Sequence, residues 1–141
     1  MRNIKTIFIH CTATPQNTTP ESIITGFKRR GWKAPGYHYL ATPRGEMIQL
    51  LDIGQVSNGV EGHNAEAINI AYIGGTTSDG KPVDNRTIEQ KAAIVHLLIQ
   101  LKEQFPKARI MGHRDIWSTT DSRKWKKHCP CFNATKEYMY V

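Results

Sequence analysis

The stretch Thr6-Ile7-Phe8-Ile9-His10-Cys11 narrows the choice of fold more than any other part of this chain. β-Branched and aromatic residues fill it without the polar alternation of a strand that has one face in water. It therefore reads as an interior strand covered on both faces. Such a strand needs layers above and below, and the chain supplies helices for them. Thr19-Pro20-Glu21 has the form of a helix start, with Thr as N-cap, Pro at the first helical position and an acid in the first turn. Ile23, Ile24, Phe27 and then Trp32 give this helix an apolar face, and Gly31 ends it. Lys28, Arg29 and Arg30 fall in the last turn, where cations match the helix dipole, and read as a solvated helix end.

A second helix is predicted over 87–105, opened by a capping box of Thr87 and Gln90. Ile88, Ala92, Val95, Leu98 and Ile99, with Ile94, Leu97 and Leu101, recur at helical spacing as a broad apolar face. His96 reads as a solvent-facing or packing residue on it. Residues 37–41 and 46–51 flank the turn Pro43-Arg44-Gly45 and make a hairpin. Further strands are expected at 68–73, ended by Gly74-Gly75, and at 108–111. The Gly-, Asn- and Ser-rich segment 54–64 reads as a surface loop bordering a cleft. Strands alternating with two helices predict an α/β single domain with a central mixed β-sheet flanked by helices. A length of 141 residues suits one such core and not two.

No stretch approaches the roughly 20 apolar residues of a membrane span, and the N-terminus lacks the pattern of a secretory signal. The expectation is a soluble protein made in the cytoplasm. A net charge of +7 favours anionic partners, whether nucleic acid, teichoic acids or the peptide carboxylates of a cell wall, without choosing among them. Three cysteines argue against a disulfide framework and for one thiolate put to another use. A disulfide from Cys11 to Cys129 or Cys131 stays as the alternative.

Two tail motifs carry the chemistry: Gly112-His113-Arg114-Asp115 and Lys127-His128-Cys129-Pro130-Cys131. A histidine at a strand end and a thiolate on a Pro-braced loop suit zinc. His10, closing the buried strand, is the candidate third ligand; on its own segment it reads equally as a core histidine bonded to backbone. Two histidines and one cysteine would leave a tetrahedral position for water, which distinguishes a catalytic zinc from a structural one. Attack on an amide also calls for a cation near the developing oxyanion and a group that places the water. Lys127 and Tyr37 are the candidates. Taken alone, Lys127 reads as a solvated lysine in Lys124-Trp125-Lys126-Lys127, and Tyr37 as a packing ring.

These motifs, together with His10-Cys11-Thr12-Ala13-Thr14, Pro35-Gly36-Tyr37-His38-Tyr39 and Gly62-His63-Asn64, resemble a known family in order along residues 5–132. It is the zinc-dependent N-acetylmuramoyl-L-alanine amidase family, the type-2 amidase and peptidoglycan-recognition-protein fold, which includes the amidase-type lysozymes of T-odd coliphages. The resemblance implies that His10, His113 and Cys129 bind one Zn2+ ion, that Tyr37 assists the attacking water and that Lys127 stabilises the transition state. It implies hydrolysis of the amide between the lactyl group of N-acetylmuramic acid and L-alanine. The cleft would be lined by loops 12–17, 54–64 and 113–127, so Thr12, His63, Asn64 and Trp117 are expected to touch substrate. The expected partner is peptidoglycan, with no nucleic acid and no membrane.

The chain also departs from the phage pattern. Only nine residues precede His10, so the longer arm that accompanies RNA polymerase binding is unmatched and that inhibition is not expected. The loop from Asp115 to Lys127 is longer, and its Trp117 and Trp125 either extend the sugar-binding wall or sit on a plain surface loop. His128 and Cys131 are extra donors beside Cys129, which is preferred for its place before Pro130. Without a signal, action on the wall would need release or export by another system. Two other functions compete. A non-catalytic peptidoglycan-binding module has no need of the Cys129 thiolate. A structural zinc site of His113, His128, Cys129 and Cys131 in a nucleic-acid-binding protein would leave His10 idle.

Overall fold

The computed structural model describes residues 2–141. Its framework is a five-stranded sheet in the order β3-β2-β4-β1-β5, with β1 at Thr6–Cys11, β2 at Tyr39–Ala41, β3 at Met47–Gln49, β4 at Ala67–Tyr72 and β5 at Arg109–Gly112. β1 pairs in parallel with β4 on one side and β5 on the other; β2 continues the parallel set beyond β4, and β3 closes that edge antiparallel to β2. The sheet is mixed, as expected, and the predicted hairpin is its β2–β3 edge.

The two faces of β1 have different fates because side chains alternate along a strand. Ile7, Ile9 and Cys11 join Ile68, Ile70 and Tyr72 of β4 against helix α2 (Ile88–Gln104), which contributes Ile94, Leu98 and Leu101. Phe8 points the other way, onto Val60 and Ala67. On that second side helix α1 (Pro20–Arg29) brings Ile23 against Leu40, Ala71 and Ile73. Thr19 caps α1 by accepting from the Ser22 amide, and the Thr87–Gln90 capping box opens α2.

Two expectations change. The apolar face of α2 is narrower than its composition, since Ile88 is 82% and Ile99 49% exposed. Only one stripe of a helix can meet a sheet, and these two lie off it. Segment 54–64 is not wholly a surface loop either: Ser57 and Val60 are completely buried. Val60 packs on Phe8, and the Ser57 hydroxyl is satisfied by Asn69 and His38. A short helix α3 (Ala134–Glu137), which periodicity cannot reveal in four residues, seals the α2 side together with Phe132 and Tyr138. Among the described residues no helix is long and apolar enough to cross a membrane.

Candidate metal centre and active site

Ligands in open α/β sheets gather outside the carboxyl ends of parallel strands, and three elements converge there. His10 lies one residue before the end of β1, and His113 follows β5 as the first residue of a 3-10 turn, His113–Trp117. Cys129 arrives on the loop after that turn, where the Cys129–Pro130 peptide is cis. The loop is tied down at several points. The Arg114 amide donates to Cys129 O (2.9 Å), the Tyr72 hydroxyl to Pro130 O (2.7 Å), and the Cys11 amide to Cys129 Sγ (3.2 Å). Close approach also needs Gly112, where an added Cβ would stand 2.7 Å from Pro130 Cδ.

The donor atoms of His10, His113 and Cys129 all lie within 4.8 Å of one another. His10 Nδ1 is 3.3 Å from His113 Nδ1 and 3.7 Å from Cys129 Sγ. Tetrahedral zinc, with bonds of about 2.0–2.1 Å to nitrogen and 2.3 Å to sulfur, demands N···N edges of roughly 3.3–3.4 Å and N···S edges of roughly 3.6 Å. The two edges that meet at His10 match these values, and the three residues form a group that could hold a metal ion. Both histidines are buried and electrically suited to the task. Desolvation, aided by the Lys127 charge, lowers His10 to about 4 despite its bond to Asn69. Desolvation first, then His10 and Lys127, lowers His113 to about 3. Neutral imidazoles at pH 7 keep the lone pairs a metal takes.

The other two cysteines also border the cleft, but their sulfurs face each other. Cys11 Sγ and Cys131 Sγ sit 3.9 Å apart as free thiols, and Cys131 Sγ also faces Gly75 O. Cys11 belongs to the α2 side of the sheet, opposite His10. Hydrogen bonding to a neighbouring sulfur, then burial, raises both thiols, so in the metal-free protein they stay protonated.

His10, His113, Cys129, Tyr37, Thr12 and Lys127 all line one cleft of about 370 Å³. The Tyr37 ring stands 5.2 Å from that of His10, and its hydroxyl donates to Cys11 O at 3.3 Å. Desolvation raises Tyr37, so the phenol remains a proton donor. Lys127 is exposed at the rim. Of the other residues singled out, Thr12 Oγ1 is engaged with Thr14 Oγ1 (2.7 Å) and the Gly74 amide (3.1 Å). Trp117 stacks on His113, with centroids 5.7 Å apart. His63 is exposed, edge-on to Phe8. Asn64 points inward, its Oδ1 accepting from the Val60 amide at 2.8 Å.

Sequence reasoning overlooked two features. Arg30, read as a solvated helix end, lies over Trp32 at 5.0 Å, and both line the cleft. Asn69, the single polar residue inside the strand Ala67–Tyr72, bonds His10. Its lone polarity was the available signal, because a polar side chain in a buried strand must have a partner.

Residues 1–131 match the family described as N-acetylmuramoyl-L-alanine amidase. An endolysin of Enterobacteria phage K11 is 31% identical over 131 residues, covering 92% of this chain and 82% of the relative. Among solved structures, the N-acetylmuramoyl-L-alanine amidase LysC from Clostridium intestinale superposes with a TM-score of 0.78 at 25% identity, covering 98% of this chain and 83% of its own. Bumblebee PGRP-SA shares the fold, with a TM-score of 0.73 at 17% identity over 99% of this chain and 83% of that one. A match across nearly the whole length places this chain in the N-acetylmuramoyl-L-alanine amidase family.

Proposed function

We propose that this protein is a zinc-dependent amidase that cuts the bond between the lactyl group of N-acetylmuramic acid and the L-alanine of the peptidoglycan stem. The observation that carries the reading is the convergence of His10, His113 and Cys129, with His10 Nδ1 at tetrahedral-edge distance from the other two, at a cleft that Tyr37 and Lys127 also line. A bound zinc supplies a water made acidic enough to act as a nucleophile near neutral pH and polarises the scissile carbonyl. The protein's own groups do the rest. Tyr37, held as a neutral phenol beside His10, hydrogen-bonds and orients the attacking water. Lys127 extends from the rim to the carbonyl oxygen and holds the charge that develops there. Thr12 at the wall of the cleft and Trp117, His63, Arg30 and Trp32 around it contact the glycan and stem peptide. Asn64 acts from behind the site.

The K11 relative bears the name endolysin, which supports action on the cell wall. The test is digestion of purified peptidoglycan with and without chelator, scoring new alanine amino termini against new reducing sugars. Chelator-sensitive amino termini without reducing ends are expected. Reducing ends, or amino termini that persist in chelator, overturn the proposal.

A further inference from the structure

Taking His10, His113 and Cys129 as the zinc site, we propose that Asn69 is its positioning residue, and that the backbone amide of Val60 dictates the orientation of Asn69 through Asn64. Asn69 is fully buried in β4 beside Phe8 of β1, facing the same side as His10. Its Oδ1 is 2.7 Å from His10 Nε2, and its Nδ2 is 2.7 Å from Ser57 Oγ and 3.2 Å from Asn64 Oδ1.

The direction of these bonds follows from one fixed donor. The Val60 amide can only donate, so the Asn64 atom 2.8 Å from it is the carbonyl oxygen. That oxygen faces Asn69, which must answer with its amino group. Asn69 therefore turns its own oxygen to His10 Nε2, which must carry the proton. The His10 lone pair is left on Nδ1, the atom that faces His113 and Cys129. An amide turned the other way would place a hydrogen on Nδ1 and remove it as a donor.

The surroundings hold Asn69 closely in place. An added Cβ on Gly59 would lie 2.3 Å from Asn69 Cγ, so segment 54–64 packs directly on the amide. The Asn69 backbone amide donates to His38 Nδ1 (3.0 Å), while His38 Nε2 donates to Gln55 O (2.7 Å). Outer-shell partners that fix a histidine tautomer are worth about 10–100-fold in metal affinity.

The test measures the zinc dissociation constant by competition with a chromophoric chelator, and the His10 tautomer by 15N NMR on metal-free protein, with melting curves to establish folding. Asn69→Leu should weaken zinc binding about 10–100-fold and spread the His10 proton over both nitrogens. Asn64→Asp keeps the acceptor and should bind as wild type, whereas Asn64→Leu should lose roughly tenfold. A folded Asn69→Leu protein with wild-type affinity and an unchanged tautomer overturns the assignment. Should Asn69→Leu not fold, the Asn64 pair decides, and equal affinities for its two variants overturn it. Absence of zinc binding by the wild type would remove the metal reading, yet the tautomers would still decide the role of Asn69.

Discussion

Lys127 shows how little a residue's own neighbourhood says about its work. In sequence it stands in a basic run and reads as solvated; in space it borders the cleft, and its charge helps depress both His10 and His113. Replacing it by alanine should leave zinc bound and lower kcat by about 10²–10³-fold, the usual loss when one oxyanion donor is removed. Zinc content and single-turnover rates check this, and normal turnover would remove Lys127 from the mechanism. His10 and Asn69 mark the limits of what the sequence discloses at this scale. A histidine ending a buried strand is visible as a candidate ligand, but nothing linear says that Asn69, 59 positions later, holds its far nitrogen. That pairing exists because parallel register sets Phe8 beside Asn69 and His10 beside Ala71.

Elements carry the proposed ligands with unequal legibility. β1 and α2 were plain in the sequence because burial on two faces and a capping box leave strong patterns. The loop that bears Cys129 shows its motif but no periodicity that fixes its path, because tertiary bonds position it: Arg114 amide to Cys129 O, Tyr72 hydroxyl to Pro130 O, and Asp115 Oδ2 accepting from both the Gly112 amide and Thr135 Oγ1. Gly112 is where that loop meets the strand end most tightly. Gly112→Ala would drive a methyl group into the Pro130 ring, a rigid neighbour, and should cost about 1–3 kcal/mol as overpacking does. Because the displaced loop holds Cys129, zinc affinity should fall along with the denaturation midpoint. An unchanged zinc affinity in a folded variant would mean that the loop reaches the metal without this contact.

Across the whole molecule, the site sets a pH dependence. Both histidines are buried neutral, with folded values of about 4 and about 3 against an ordinary 6.5. Below pH 6.5 the unfolded chain takes up protons that the folded chain refuses, so metal-free protein should lose stability as pH falls from about 6.5 toward 4. The loss levels off once the folded histidines protonate too. For His10 alone it amounts to roughly 3 kcal/mol at most. Urea midpoints of metal-free protein at pH 7 and pH 4.5 measure it, and equal midpoints would contradict the burial of neutral imidazoles. The fold tolerates these polar groups because each is partnered: among the described residues no buried side-chain nitrogen or oxygen lacks a hydrogen bond.

Everything proposed for this protein depends on side chains from positions 10, 113 and 129 sharing one ion. X-ray absorption at the zinc edge of the loaded protein reads that directly. The predicted shell has one sulfur at about 2.3 Å and two imidazole nitrogens at about 2.0–2.1 Å, completed by a light atom from solvent. A shell with two or more sulfurs, drawing in Cys11 or Cys131, or one with no sulfur at all, would contradict the account.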